Sequence, residues 1–127
     1  MLGILKSLFD SPEREARRLN RDAPAIIDSA IRSFPIDRVR ETAVMTLEQL
    51  GEAREHLENH TESREQVLYR FRQLHGEARR RMDQVGLTAY TLVIIYLRAE
   101  PLGDIAAPAR EAIDAFTGQW SHAAQPE

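Results

Sequence analysis

Three side chains able to ligate a metal recur at one-turn intervals: Glu52, His56 and His60, at i, i+4 and i+8. Wound as a helix, they form a ladder on one face. A carboxylate with two imidazoles is a competent donor set for a divalent transition metal. The spacing therefore makes these three positions a candidate metal site. The ladder lies well away from the apolar stripe of its own helix, so it reads equally as a solvated row of polar side chains. The run HLENH is not the HExxH of zinc proteases, because its glutamate is displaced by one residue and points elsewhere. Di-iron helical bundles need a glutamate three residues before a histidine on two helices. None of the four histidines has one. No cofactor is expected.

A second pair is Arg70 and His75, separated by FRQL. Their Arg-x4-His spacing resembles that of HEPN-domain ribonucleases, which are small, all-helical and dimeric. Arg54 and His60 match the variant with five intervening residues. The resemblance is confined to these few positions and implies an RNA-cleaving pair at Arg70 and His75. Phe71 stands where that family carries a polar residue after the arginine. On an unbroken helix Arg70 and His75 would diverge by about 140°. His75, flanked by Leu74 and near Ala78, also reads as a histidine at the boundary of a core.

Other chemistries are excluded more simply. The chain contains no cysteine, which removes disulfides, thiol nucleophiles, thiolate zinc sites and iron–sulfur clusters. No two of its six glycines are close enough to make a phosphate-cradling loop, and there is no GxSxG. Arg79, Arg80 and Arg81 with nearby Tyr69 could touch phosphates. A net charge of −3 and an acidic segment immediately upstream argue against a nucleic-acid partner. All but one of the 17 basic residues are arginine, the exception being Lys6. No catalytic constellation emerges, and the chain reads as non-enzymatic.

The elements that would position these residues are helical throughout. Ser11 and Pro12 open a short charged helix to about Asn20, and Pro24 is expected to start another that Pro35 ends. Residues 37–58 form a long helix whose apolar stripe is Ile36, Val39, Ala43, Leu47, Leu50, Ala53 and Leu57. Ser63 and Gln66 have capping-box spacing for a helix over 64–85, which Gly86 is placed to end. The first of these two helices is acidic and the second basic, which favours an antiparallel hairpin over one continuous rod. Residues 88–99 are apolar all round, so this helix must be surrounded. Asp104 is placed to cap a final helix carrying Ile105, Ala109, Ile113, Phe116 and Trp120 on one face.

The first ten residues, MLGILKSLFD, segregate completely on a helical wheel. Met1, Leu2, Ile4, Leu5, Leu8 and Phe9 fall on one side, and Lys6, Ser7 and Asp10 on the other. They do not read as a secretory signal, since no basic region precedes a short apolar one. No stretch reaches the ~20 apolar residues of a transmembrane helix. Interfacial helices usually carry several basic residues on the polar face, and here there is one.

The expectation is an all-α, single-domain bundle of five or six helices over residues 1–120, with a central antiparallel helical hairpin and a flexible tail at 121–127. Its apolar surface exceeds what a small bundle needs. A homo-oligomer, most simply a two-fold dimer, is therefore expected, with Leu2, Leu5, Leu8, Phe9, Tyr90, Ile94 and Tyr96 as interaction residues. The function this suggests is that of an interaction or scaffold protein in the cytoplasm. A separate protein partner, or a membrane surface met by residues 1–9, is the alternative cover for the N-terminal face.

Overall fold

Ser11 sets the start of the first helix. Its hydroxyl accepts a hydrogen bond from the Arg14 amide at 3.1 Å, with Pro12 at the first helical position and Glu13 and Glu15 in the first turn. The computed structural model describes residues 11–122, and among these every element is helical. In order they are α1 (Pro12–Ser33), α2 (Ile36–Glu58), α3 (Arg64–Arg80), α4 (Gln84–Ala99), a 3-10 segment (Glu100–Ala106) and α5 (Ala107–His122). The all-α architecture holds. The interaction positions Leu2, Leu5, Leu8 and Phe9, and the tail after residue 122, lie outside the described residues.

Pro24 does not start a helix; it lies inside α1. A proline at this position removes one intrahelical hydrogen bond. The helix persists because one buried stripe runs through both halves: Ala16, Leu19, Ala23, Ile27 and Ala30. Pro24 itself faces solvent.

The buried face of α2 is rotated from the expected one. Ile36 and Leu47 are 57% and 49% exposed, while Thr42 and Thr46 are fully buried. Each threonine donates its hydroxyl back to the carbonyl one turn earlier, Thr42 to Arg38 and Thr46 to Thr42, both at 2.7 Å. With the hydroxyls satisfied, only the methyl groups face the core.

The expected central hairpin is also corrected. α2 and α3 are consecutive and joined by a short turn, yet neither packs extensively on the other: α3 lies on α4, and α2 lies on α4 and α5. α4 is the hub, in contact with α1, α2, α3, α5 and the 3-10 segment. Nine of its residues are buried, as its apolar composition requires. Residues 84–121 taken together are long and apolar enough to cross a bilayer, but half of that apolar window is buried inside the bundle.

Gly86 does not end α3. That helix stops at Arg80, and Gly86 sits in the first turn of α4, where its amide donates to the Asp83 carboxylate at 2.9 Å. Nor does Asp104 cap the last helix. Asp104 is exposed in the 3-10 segment, and the Ala109 amide in the first turn of α5 donates instead to the side chain of Asn20 at 3.0 Å.

Candidate functional site

The metal ladder is not assembled. α2 ends at Glu58, and His60 lies beyond it with φ of 57°, exposed in the turn. The left-handed conformation at His60 breaks the helical spacing that the ladder needs. His56 turns toward the loop, its Nδ1 lying 2.8 Å from the Thr61 hydroxyl and 3.7 Å from Glu62. Glu52 faces Arg70 across the α2–α3 seam at 3.9 Å. Among the described residues no group of acidic and histidine side chains is arranged to hold a metal ion.

Arg70 and His75 are not brought together either. Arg70 pairs with Glu62 and lies over the ring of Phe71 at 5.5 Å. His75 faces away along the unbroken α3, toward α1 and α4. The helix itself forces this divergence of about 140°.

Tyr96, expected at an interface, is a core residue at 4% exposure. The Arg54 guanidinium lies over its ring at 4.7 Å and donates to its hydroxyl at 2.5 Å. That hydroxyl donates in turn to Asp114 at 3.2 Å. Burial pushes the Tyr96 phenol above its ordinary pKa. The Arg54 charge opposes this, while the charge and hydrogen bond of Asp114 reinforce it. Glu100 receives both Arg54 and Arg64, and Arg64 also donates to the Leu97 carbonyl at 2.8 Å. This lattice joins α2, α3, α4 and α5 and is fully engaged with itself. Tyr90 and Ile94 are half-buried against the core.

The open feature is a groove over one face of α4. Glu15 pairs with Arg98, and Ile26, Ser29, Ala30 and Phe34, toward the end of α1, line a pocket with Gln84 and Thr88, so α1 runs antiparallel to α4. α3 is also antiparallel to α4, with Arg64 against Glu100 and Phe71 against Tyr90. α1 and α3 have no extensive contact with each other, and the strip of α4 between them stays partly open. Its residues recur at helical spacing: Leu87, Thr88, Thr91, Ile94 and Arg98. Thr88 and Thr91 donate their hydroxyls to the carbonyls of Gln84 and Leu87, at 2.9 and 2.7 Å. The threonines therefore turn methyl groups to the groove, and its floor is apolar despite its composition.

The groove has two ends. Near the start of α1, the walls are Leu19 and Ile26 of α1 with Arg72 and His75 of α3, over Thr91 and Ile94. Arg18 and Arg98 stand at its mouth, and both pair with Glu15. At the other end, a cavity of about 420 Å³ opens between Phe34, Pro35, Arg38, Met82 and Val85. Met82 is 81% exposed and has φ of 57°. Ile31 and Ile36, also exposed, flank Phe34 and Pro35 in the chain. Pattern reading missed this end, because no motif marks it. The exposed methionine in a left-handed conformation is visible only in three dimensions.

No family model, no curated protein and no solved structure matches this chain.

Proposed function

We propose that this chain is a non-enzymatic helical interaction protein that works as a homo-oligomer, most simply a two-fold dimer. The observation that carries the reading is Met82. A large apolar side chain is held 81% exposed, on a backbone with φ of 57°, at the mouth of a cavity lined by Phe34, Pro35 and Val85 together with Arg38, Asp83 and Gln84. The backbone conformation is that of a helix stop, but full exposure of a large apolar side chain there offers no return within the monomer. A neighbour that covers it supplies one. Ile36 and Ile31 extend the same end of the bundle, so a two-fold contact would place like patches against each other.

Light scattering on the eluting protein tests this. The unaltered chain should run as a dimer at micromolar concentration, and Met82→Glu and Ile36→Glu as monomers of unchanged helical content. A monomeric unaltered chain would overturn the proposal. A cytoplasmic location is part of the same reading, supported by a cysteine-free composition. The alternative, a peripheral membrane role for residues 1–9, draws on the apolar face of that segment. Co-sedimentation with anionic vesicles that Leu5→Glu abolishes would favour it; no pelleting of the unaltered chain would dismiss it.

A further inference from the structure

We propose that the cleft walled by α1 and α3 over α4 binds a small amphiphile with an unbranched alkyl chain and a carboxylate head, the chemistry of a medium-chain fatty acid. The cleft shares no lining residue with the cavity beside Met82, so the proposal does not depend on the oligomeric state of the chain.

The shape suits a single alkyl chain. α1 and α3 both run antiparallel to α4 and leave a strip of it open between them. From Thr91 to Arg98 that strip is about 10 Å long, at 1.5 Å per residue. The cleft over it has a volume of about 320 Å³. At about 30 Å³ for a water-sized group, this holds about ten non-hydrogen atoms. Leu19 and Ile26 of α1 form one wall, and Thr91, Ile94 and Ile95 form the floor. Thr91 spends its hydroxyl on the Leu87 carbonyl and offers only its methyl group. No aromatic ring lines the cleft, so it has no stacking surface for a flat ligand. Methylene groups seated on these branched side chains leave water for an apolar surface.

The charge suits an anionic head. Arg18, Arg72, Arg98 and His75 line the cleft against one carboxylate, Asp22. Asp22 is paired with Arg21 at 3.1 Å. Glu15 alone serves both Arg18 and Arg98, which leaves a positive charge unbalanced at that end. On the α3 wall, neither Arg72 nor His75 has a hydrogen-bond or ion-pair partner among the described residues, although His75 is half-buried. The two stand three residues apart on one helix and so share a face. Polar groups drawn out of water are ordinarily satisfied. A carboxylate at this wall satisfies both, accepting from the guanidinium fork of Arg72 and from the ring of His75. The same surplus of positive charge turns away a cationic amphiphile. A neutral alcohol of equal length fills the floor but leaves Arg72 unpaired.

Octanoate matches the cleft in size and is the probe. Titration calorimetry on the full chain should show saturable binding of a single octanoate per chain. Octan-1-ol should bind about ten-fold more weakly, the loss expected when a charge-assisted contact goes unmade. Arg72→Ala, at an exposed position, should weaken octanoate about ten-fold and leave octan-1-ol unchanged. Arg79→Ala, exposed on the same helix but outside the cleft, should bind octanoate as the unaltered chain does. Ile94→Trp should fill the floor and abolish binding of both; if circular dichroism shows it misfolded, the Arg72→Ala result decides alone. Absence of saturable octanoate binding would overturn the proposal. So would equal affinity for octanoate and octan-1-ol, or equal losses from Arg72→Ala and Arg79→Ala. The chain has no cysteine, so Ile94→Cys carries a lone thiol. Disulfide-linked pairs of that variant, with no octanoate bound by the unaltered chain, would assign the cleft to a second copy instead.

Discussion

Asn20, in the middle of α1, caps α5 across the bundle. Its side-chain oxygen accepts from the Ala109 amide at 3.0 Å, and its nitrogen donates to the Ile105 carbonyl at 2.8 Å. One amide group thus satisfies a donor in the first turn of α5 and an acceptor in the 3-10 segment before it. Pro108 follows directly after Ala107, and this part of the chain has no capping side chain of its own. A side chain distant in sequence supplies what the local sequence lacks.

Asn20→Ala should therefore lower stability by about 1–2 kcal/mol, the range for losing a cap. Asn20→Asp keeps the acceptor but loses the donor to Ile105, so its loss should be smaller than that of alanine only if the Ala109 contact dominates. Denaturant unfolding of the two variants measures this. No change on alanine substitution would show that the two hydrogen bonds contribute nothing net.

Two helices end on residues that glycine would suit better. After α2, the amides of His60 and Thr61 donate to Leu57 and His56; after α3, those of Met82 and Asp83 donate to Arg79 and Ala78. This is the paired pattern of a helix stop with a left-handed residue just past its end, and His60 and Met82 each have φ of 57°. Relief of the side-chain clash at such a position exceeds the entropy that glycine adds to the unfolded chain. His60→Gly and Met82→Gly should each raise stability by about 0.5 kcal/mol, read as a higher midpoint of thermal unfolding. Met82→Gly should also weaken self-association, so it should stabilise the chain while diluting the dimer.

These same positions explain what the sequence could and could not tell. Caps with local signals were readable: Ser11 with Pro12, and Ser63 with Gln66, whose reciprocal bonds are 2.8 and 3.1 Å. So was the surrounded state of 88–99, since seven of the eight residues from Tyr90 to Leu97 are apolar and have no other stable place. The stop of α3 was not, because glycine is the usual signal and a methionine fills the position. The face of α2 was misjudged because threonine counts as polar until its hydroxyl is seen to bond its own helix. The hairpin was misjudged because charge complementarity between α2 and α3 contributes only a few tenths of a kcal/mol per exposed pair. Burying α4 contributes far more, at about 2 kcal/mol for each large side chain, and both helices went to it. The groove was unreadable for the same reason. It arises from which helices do not touch.

Gly86 offers a sharper test of local packing. A Cβ built on it would lie 2.5 Å from the Asp83 carboxylate oxygen, nearer than real contacts allow. That carboxylate is the N-cap of α4 and cannot retreat without releasing the Gly86 amide. Gly86→Ala should therefore destabilise the fold by about 1 kcal/mol, although alanine is the better helix former. In an Asp83→Ala background the same change should become neutral or stabilising. A double-mutant cycle by denaturant unfolding checks this, and additive losses would dismiss the clash.

Alkaline pH should weaken the fold through Tyr96, which is buried, and Tyr90, which is half-buried. Tyr96 has its pKa raised above 10.0, first by burial, against the opposing pull of Arg54 and with Asp114 adding to the rise. Tyr90 shifts the same way, again chiefly by burial, with the charges of Asp83 and Glu77 reinforcing it. The folded chain thus holds the phenolic protons more tightly than the unfolded one. The resulting stabilisation is fully present below pH 10, declines as the pH rises past the unfolded value, and is gone above the raised folded values. Tyr96→Phe should flatten that decline while costing about 1 kcal/mol at neutral pH from the lost hydrogen bonds. Arg54→Met should do the opposite to the titration, moving the Tyr96 phenol still higher, because the charge that favours phenolate has been removed. Phenolate absorbance against pH, followed alongside unfolding midpoints, distinguishes the two. A Tyr96→Phe variant with an unaltered alkaline profile would mean that this hydroxyl is in contact with water and that Arg54 and Asp114 do not govern it.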